Sequence, residues 1–233
     1  MKSTDYQTLN QASAYDQNRF SDGLKIVHND EKQILENVLK ITSQKARFLD
    51  LGTGTGRVVK ILLKYKPLKI DALDRSRAML DQLEKNNKKE ILRGKINTVQ
   101  STSDKIPLPT KSIDLITALH LFKHSPNPNR TFQEISRVLK PGGLFIFDVL
   151  NDRSIVRLNL GTCYTTTDSK LKNQLKKHNL QIKNIIYLHY FGETIYKLAG
   201  KDIGQIIHLF DQLFKSINLK FATKIFVIAQ KNE

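Results

Sequence analysis

The 233-residue sequence predicts one α/β domain built on a doubly wound, mainly parallel sheet. Three observations carry that expectation. Short apolar runs alternate with stretches of helical periodicity. Most of the runs are apolar at nearly every position, as in strands covered on both faces. The length suits one full core and does not demand a second.

Before the first strand, "DEKQILENVLKI" sets Ile34, Leu35, Val38 and Leu39 at helical spacing and predicts a helix laid on the sheet. "RFLDL" (47–51) opens the sheet, and a helix over Thr55 to Tyr65 follows. "LKIDALD" (68–74) is the second strand; Ser76 then N-caps a helix that runs to Asn87. "INTVQS" (96–101), "IDLITAL" (113–119) and "GLFIFDVL" (143–150) continue the sheet. The helix from Pro128 to Leu139 stops at "KPGG", where a left-handed glycine ends the helix and proline blocks its continuation. Beyond residue 150 the rhythm loosens into a helix at 168–178, a strand at 180–190, a helix at 201–217 and a last strand at 221–231. Ile206, Ile207, Phe210 and Phe214 are expected to cover the core or roof a pocket, in preference to lying on a membrane.

Composition narrows the functional classes. Hydrophobic residues make up 39% and charged residues 26%, ordinary for a globular chain. No apolar run approaches the ~20 residues of a membrane span. The start, "MKSTDYQTLN", has no apolar segment of a secretory signal, and a lone Cys163 forms no internal disulfide; both suit a cytoplasmic protein. The net charge of +16 admits two readings, a polyanionic partner such as RNA or a solvated basic surface. Lysines scattered along the chain and outnumbering arginines favour the second. Histidine and cysteine are too sparse for a zinc cluster, so no metal is expected, and His28, His178, His189 and His208 are expected on surfaces or core edges.

The most specific stretch is "RFLDLGTGTGRVV", with three glycines in five positions between two apolar runs. A glycine-rich turn from strand to helix lets a ligand approach the main chain. A dinucleotide fingerprint would need its third glycine at Arg57 or Val59, where there is none. Asp74, 18 residues past Gly56 at the tip of the next strand, is placed to accept from ribose hydroxyls.

Asp50-Leu51-Gly52-Thr53-Gly54-Thr55-Gly56 resembles motif I of the class I S-adenosylmethionine-dependent methyltransferases. Residues 106–150 are similar to the type 11 branch of that family, through Ile106-Pro107-Leu108, Ile113-Asp114-Leu115-Ile116, His124, Pro126-Asn127-Pro128 and Lys140-Pro141-Gly142-Gly143. The resemblance implies a Rossmann-like, seven-stranded sheet with an antiparallel last strand and helices on both faces. It also divides the chain into N-terminal cap helices (1–45), an S-adenosyl-L-methionine-binding core (46–150) and a C-terminal part of the same domain with an acceptor-side insertion (151–233).

On this resemblance the cofactor is held by Asp50, Gly52, Thr53, Gly54, Gly56, Asp74, Arg75 and Leu119. Thr102 occupies the place where the family usually has an acid for the adenine amino group, with Ser103 and Asp104 following. "AYDQNRF" resembles the helix that closes over the cofactor; Tyr15 and Arg19 lie one turn apart, and Arg19 would pair with the methionyl carboxylate. His120 and His124, at the carboxyl end of the fourth strand, are the candidates for a base or an acceptor contact.

A small-molecule acceptor is preferred. RNA is the alternative, but "ALHL" replaces the Asn/Asp-Pro-Pro-aromatic turn of base-nitrogen methylation, and Cys163 follows Thr162 rather than a proline. A non-catalytic partner subunit is a third reading, disfavoured by the intact glycine motif. Acceptor choice is expected in the N-terminal helix, residues 151–167 and the 201–217 helix, with Phe210 and Phe214 facing the sulfonium end of the pocket.

Overall fold

In the computed structural model, which describes residues 8–19, 22–40, 46–125, 127–156 and 163–233, the apolar runs come together in one sheet. Its strands are β1 (Arg47–Leu51), β2 (Lys69–Asp74), β3 (Ile96–Gln100), β4 (Ile113–Ala118), β5 (Leu139–Asn151), β6 (Thr165–Thr166), β7 (Leu180–Leu188) and β8 (Lys224–Lys231). The order is β3-β2-β1-β4-β5-β8-β7, with β6 attached to β5. Strands β1 to β5 pair in parallel, and β8 runs antiparallel to both β5 and β7. The expected seven strands become eight. The extra strand β6 is two residues long, too short to announce itself as an apolar run.

Side chains alternate across the sheet, so each strand feeds two cores. On one face Leu49, Ile116, Phe145 and Phe147 pack with Phe132 and Ile135 of α6 (Asn129–Val138) and with Leu171 and Leu175 of α7 (Asp168–Lys176). On the other face Phe48, Leu115, Ile146 and Phe226 meet Leu35 and Val38 of α2 (Asp22–Leu39) and Val59 and Leu62 of α3 (Arg57–Leu62). Each such side chain contributes about 1.5–3 kcal/mol by leaving water.

Caps follow the sequence. Ser76 Oγ accepts from Met79 N at 3.3 Å and starts α4 (Arg77–Asn86); a short α5 (Lys88–Leu92) comes after it. N-terminal to α2 lies α1 (Leu9–Arg19), which rests on α4.

Two local expectations are corrected. Helix α6 does not end on a left-handed glycine: Leu139 turns extended and pairs with Ile113, and Gly142, φ +75°, comes three residues later, where the β4–β5 register shifts. The late helix also starts earlier than expected. Helix α8 (Gly192–Ser216) bends at Gly200, φ +67°, and the expected 201–217 segment is its second arm.

Helix α8 also turns an unexpected face inward. Its buried residues are Gly192, Tyr196, Gly204 and Asp211, while Ile206 and Phe210 are 56% and 51% exposed. Only Phe214 of the expected pair packs inward, against Tyr190, Phe191 and Phe221. The reason is a close helix crossing. A Cβ on Gly23 of α2 would stand 1.8 Å from Tyr196 O, and one on Gly204 would stand 3.2 Å from Ile26 Cδ1. Glycine and polar groups make the contact, which leaves the larger apolar residues outside.

The two glycines of this crossing should respond oppositely. Gly23→Ala forces backbone apart and should lower stability by about 1–3 kcal/mol or more. Gly204→Ala meets only the end of a flexible side chain and should stay within about 1 kcal/mol of the parent, helped by helix propensity. Urea unfolding of both variants checks the difference.

Candidate active site

The loop after β1 holds Gly52, Gly54 and Gly56 at φ +67°, +54° and +93°, a conformation that costs residues with a Cβ about 1–2 kcal/mol each. Its backbone is pinned to the next strand: Gly52 N and Thr53 N both donate to Leu73 O, at 2.8 and 3.0 Å. The three glycines have different neighbours. A Cβ at Gly52 would press on Leu121 and one at Gly56 on Leu83, each at 3.0 Å, whereas a Cβ at Gly54 would meet nothing within 4 Å. The loop is therefore open at Gly54 and packed on either side of it.

Asp74 stands beside that opening. Its Oδ2 accepts from Gly54 N and its Oδ1 from Ser76 N, both at 2.9 Å, which fixes the carboxylate at the strand tip. Each oxygen keeps a further acceptor site. Burial raises its pKa, opposed by the backbone donors of Ser76 and Gly54.

Asp50 braces the loop from below. Its Oδ2 accepts from Thr53 Oγ1 and its Oδ1 from Thr117 Oγ1 of β4, both at 2.7 Å. Burial pushes its pKa up to about 6, against the lowering effect of the Thr117 and Thr53 hydroxyls.

Residues 49–147, which hold this loop and its two acids, match the family described as Methyltransferase domain. This segment is a methyltransferase domain. The chain is 31% identical to a sterol 24-C-methyltransferase of Gibberella zeae over 42% of its own length and 26% of that protein. It is 25% identical to a demethylmenaquinone methyltransferase of Chlamydia pneumoniae over 81% of its length and 76% of that protein. The solved structure of an S-adenosylmethionine dependent methyltransferase from Mesorhizobium loti superposes with a TM-score of 0.62 at 17% identity, covering 84% of this chain and 96% of that one. The chain spans about a quarter to a third of the first curated relatives it matches.

The other expected residues lie around the methyltransferase domain as follows. Leu119 is buried in the core cluster beneath α2 and α3. Arg75 is exposed next to Asp74. Thr102 and Asp104 are exposed after β3, and the Ser103 hydroxyl is turned toward Thr131 of α6, 3.0 Å away. Tyr15 is half-buried on α1; the Arg19 side chain lies outside the described residues. His124 is exposed on a 3₁₀ turn (Phe122–His124).

His120 has φ +63° and is buried in an ionic cluster that the sequence analysis missed. Its Nε2 lies 3.0 Å from Glu31 Oε2 and its Nδ1 3.5 Å from Glu193 Oε1, and its backbone N–H donates to Asp148. Lys224 Nζ lies 2.6 Å from Glu31, 2.9 Å from Glu193 and 3.2 Å from Asp148. Arg57 Nη1 lies 3.0 Å from Glu31 and 3.3 Å from His28 Nδ1. His28 is thus no surface residue; it is 6% exposed. His189, 2% exposed, is buried as well. Burial opposes ionisation of Glu31, but His120, Lys224 and Arg57 overcome it and hold its carboxyl well below the usual range.

His28, Glu31 and His120 bring ligand atoms within 4.8 Å of one another. A divalent ion is poorly matched to the trio, because the Arg57 guanidinium already bonds to two of its three members and Lys224 to Glu31. The cations of this cluster are side chains.

Two measurements separate the acids. Removing Glu31 from among three cations, as in Glu31→Ala, should cost about 3–5 kcal/mol in urea unfolding. For Asp50 the folded pKa lies above the unfolded value, so between about pH 4 and about pH 6 the folded chain holds the extra proton. Stability should fall by about 3 kcal/mol as pH rises through that window, and the Asp50→Asn variant should lack this component of the profile.

Proposed function

We propose that the chain is an S-adenosyl-L-methionine-dependent methyltransferase with a small-molecule acceptor. The observation that carries the reading is the pairing of an open Gly54 with the fixed carboxylate of Asp74. A phosphate-binding loop would be backed by donors alone; here an acceptor lies at the ligand's edge, as a ribose requires. The relatives are named for sterol, quinone and small-amine methylation, which supports the small-molecule class.

When bound, the cofactor supplies a methyl carbon activated by its sulfonium, so the protein's part is alignment and exclusion of water. In this reading Asp74 accepts from the ribose hydroxyls, and the backbone at Gly52–Gly56 lies against the ligand with Thr53 held in place by Asp50. Thr102 and Asp104 flank the adenine edge, Arg75 lies beside the ribose, and Tyr15 and Arg19 close over the methionyl end. Leu119 forms the floor from within the core. His120 acts as a positioning residue: its Nε2 meets Glu31 and its backbone N–H donates to Asp148, which ties the end of β4 to α2 and β5. His124, exposed four residues on, is the candidate acceptor contact. The acceptor side comprises α1, residues 151–167 as far as described, and the start of α8.

Calorimetry tests the cofactor assignment. S-adenosylmethionine and its demethylated product should bind, and NAD should not. Asp74→Ala should weaken binding about 10- to 150-fold, the cost of about 1.5–3 kcal/mol for a charge-assisted acceptor. Gly54→Val should abolish it, with a loss of stability of about 1–2 kcal/mol from a branched residue at φ +54° that urea unfolding measures separately. Equal affinity in parent and both variants would overturn the site.

A further inference from the structure

Helix α2 packs against both α3 and α8, so the three helices adjoin in one helical layer. The surface of these helices carries two features, one beside the glycine loop and one away from it. The first is apolar. Among the described residues, seven of the eleven exposed large hydrophobic side chains lie between 198 and 217. Ile203, Ile206, Phe210, Leu213 and Ile217 recur at intervals of three and four, which makes one continuous helical stripe, and Leu209 beside them is 70% exposed. Scattered exposed apolar residues are ordinary, but a stripe of this length is an interaction face.

The second feature is cationic. A cleft of about 340 Å³ between α2 and α3 is lined by Lys25, Lys32, Lys60, Lys64 and Arg57, with Thr55 and His28 at its inner end. Arg57 is paired with Glu31 and Lys64 with Glu36 at 3.4 Å, and five cations face those two carboxylates. The spacing explains the concentration: residues 25 and 32 are two turns apart on α2, 57 and 60 are one turn apart on α3, and Lys64 lies on the 3₁₀ turn that follows (Leu63–Tyr65). Helix α2 lines one side of this basic cleft and crosses α8 at Gly23, so the two features lie on helices that are in contact.

We propose that this layer docks on an anionic phospholipid bilayer, with the α8 stripe at the boundary of headgroups and acyl chains and the α2–α3 lysines on lipid phosphates. An apolar helix face beside clustered lysines matches an interfacial helix and its charged surroundings. A second copy of the chain is the poorer occupant, because it would bring the same lysines of another chain of net charge +16 against these. A nucleic acid would satisfy the lysines and leave the apolar stripe in water. No helix among the described residues is long and apolar enough to cross a membrane, so the contact is peripheral.

Co-sedimentation of the full chain with vesicles tests this. Vesicles containing about a quarter phosphatidylglycerol should bind the chain at least about tenfold more tightly than pure phosphatidylcholine, with the advantage lost at high salt. Ile206→Gln/Phe210→Gln/Leu213→Gln and, separately, Lys32→Glu/Lys60→Glu should each weaken binding about tenfold or more. Thermal midpoints and S-adenosylmethionine affinity should stay at parent values, since all five side chains lie on the outside of the layer. Absence of vesicle binding, binding unchanged in either variant, or a dimer in light scattering that the glutamine variant dissolves without any vesicle binding would overturn the proposal. Because vesicle binding is read without cofactor or acceptor, failure of the methyl-transfer reading would leave it standing.

Discussion

Glu31 is the point on which the helical layer and the sheet depend. It comes from α2, is 1% exposed, and its two oxygens face Arg57 at the start of α3, His120 at the end of β4 and Lys224 at the start of β8. A carboxylate taken this far out of water costs several kcal/mol, and only near neighbours of opposite charge offset that. Those neighbours also fix geometry. Arg57 follows the glycine loop directly, so the ion pairs of Glu31 determine where α3 begins and therefore how the loop meets its ligand.

The cluster continues a row of polar groups that period-two alternation brings to one sheet face. Asp50 shares its face with Phe48, Thr117 with Leu115, Asp148 with Ile146, and Lys224 with Phe226. Each strand is apolar deeper in the sheet and turns polar near the edge where the loops gather. The strand order places that edge at the switch point between β1 and β4, the crevice where doubly wound sheets bind ligands. Core and site are thus one pattern, divided by position along the strand.

The same layer shows how a close helix crossing redistributes apolar surface. Gly23 and Gly204 allow α2 and α8 to approach backbone to backbone, and Tyr196 and Asp211 fill the contact with a hydrogen bond of 2.7 Å. A helix that makes its tertiary contact through glycine and a polar pair has no inward use for its isoleucines. They face outward, while the neighbouring α2 and α3 carry a cleft rich in lysine.

What the sequence determined by itself was local. The strand of residues 47–51, the Ser76 cap, the alternate glycines and the acid at the tip of β2 each depend on near neighbours or on a two- or three-residue period, and each stands in the structure where the pattern put it. Some non-local facts left a trace: Glu31 lies on the apolar stripe between Val27 and Ile34, and Lys224 and Asp148 interrupt apolar strands. A charge on a buried stripe announces that it needs a partner without saying which. The partners of Glu31 are 26, 89 and 193 residues away, and no period connects them. Which face α8 buries was equally beyond the sequence, because an apolar stripe predicts burial, and only the packing of α2 decided that glycine would take the inner side. Periodicity is a property of one segment; charge pairing and helix crossing are properties of two, and only the folded chain brings the two together.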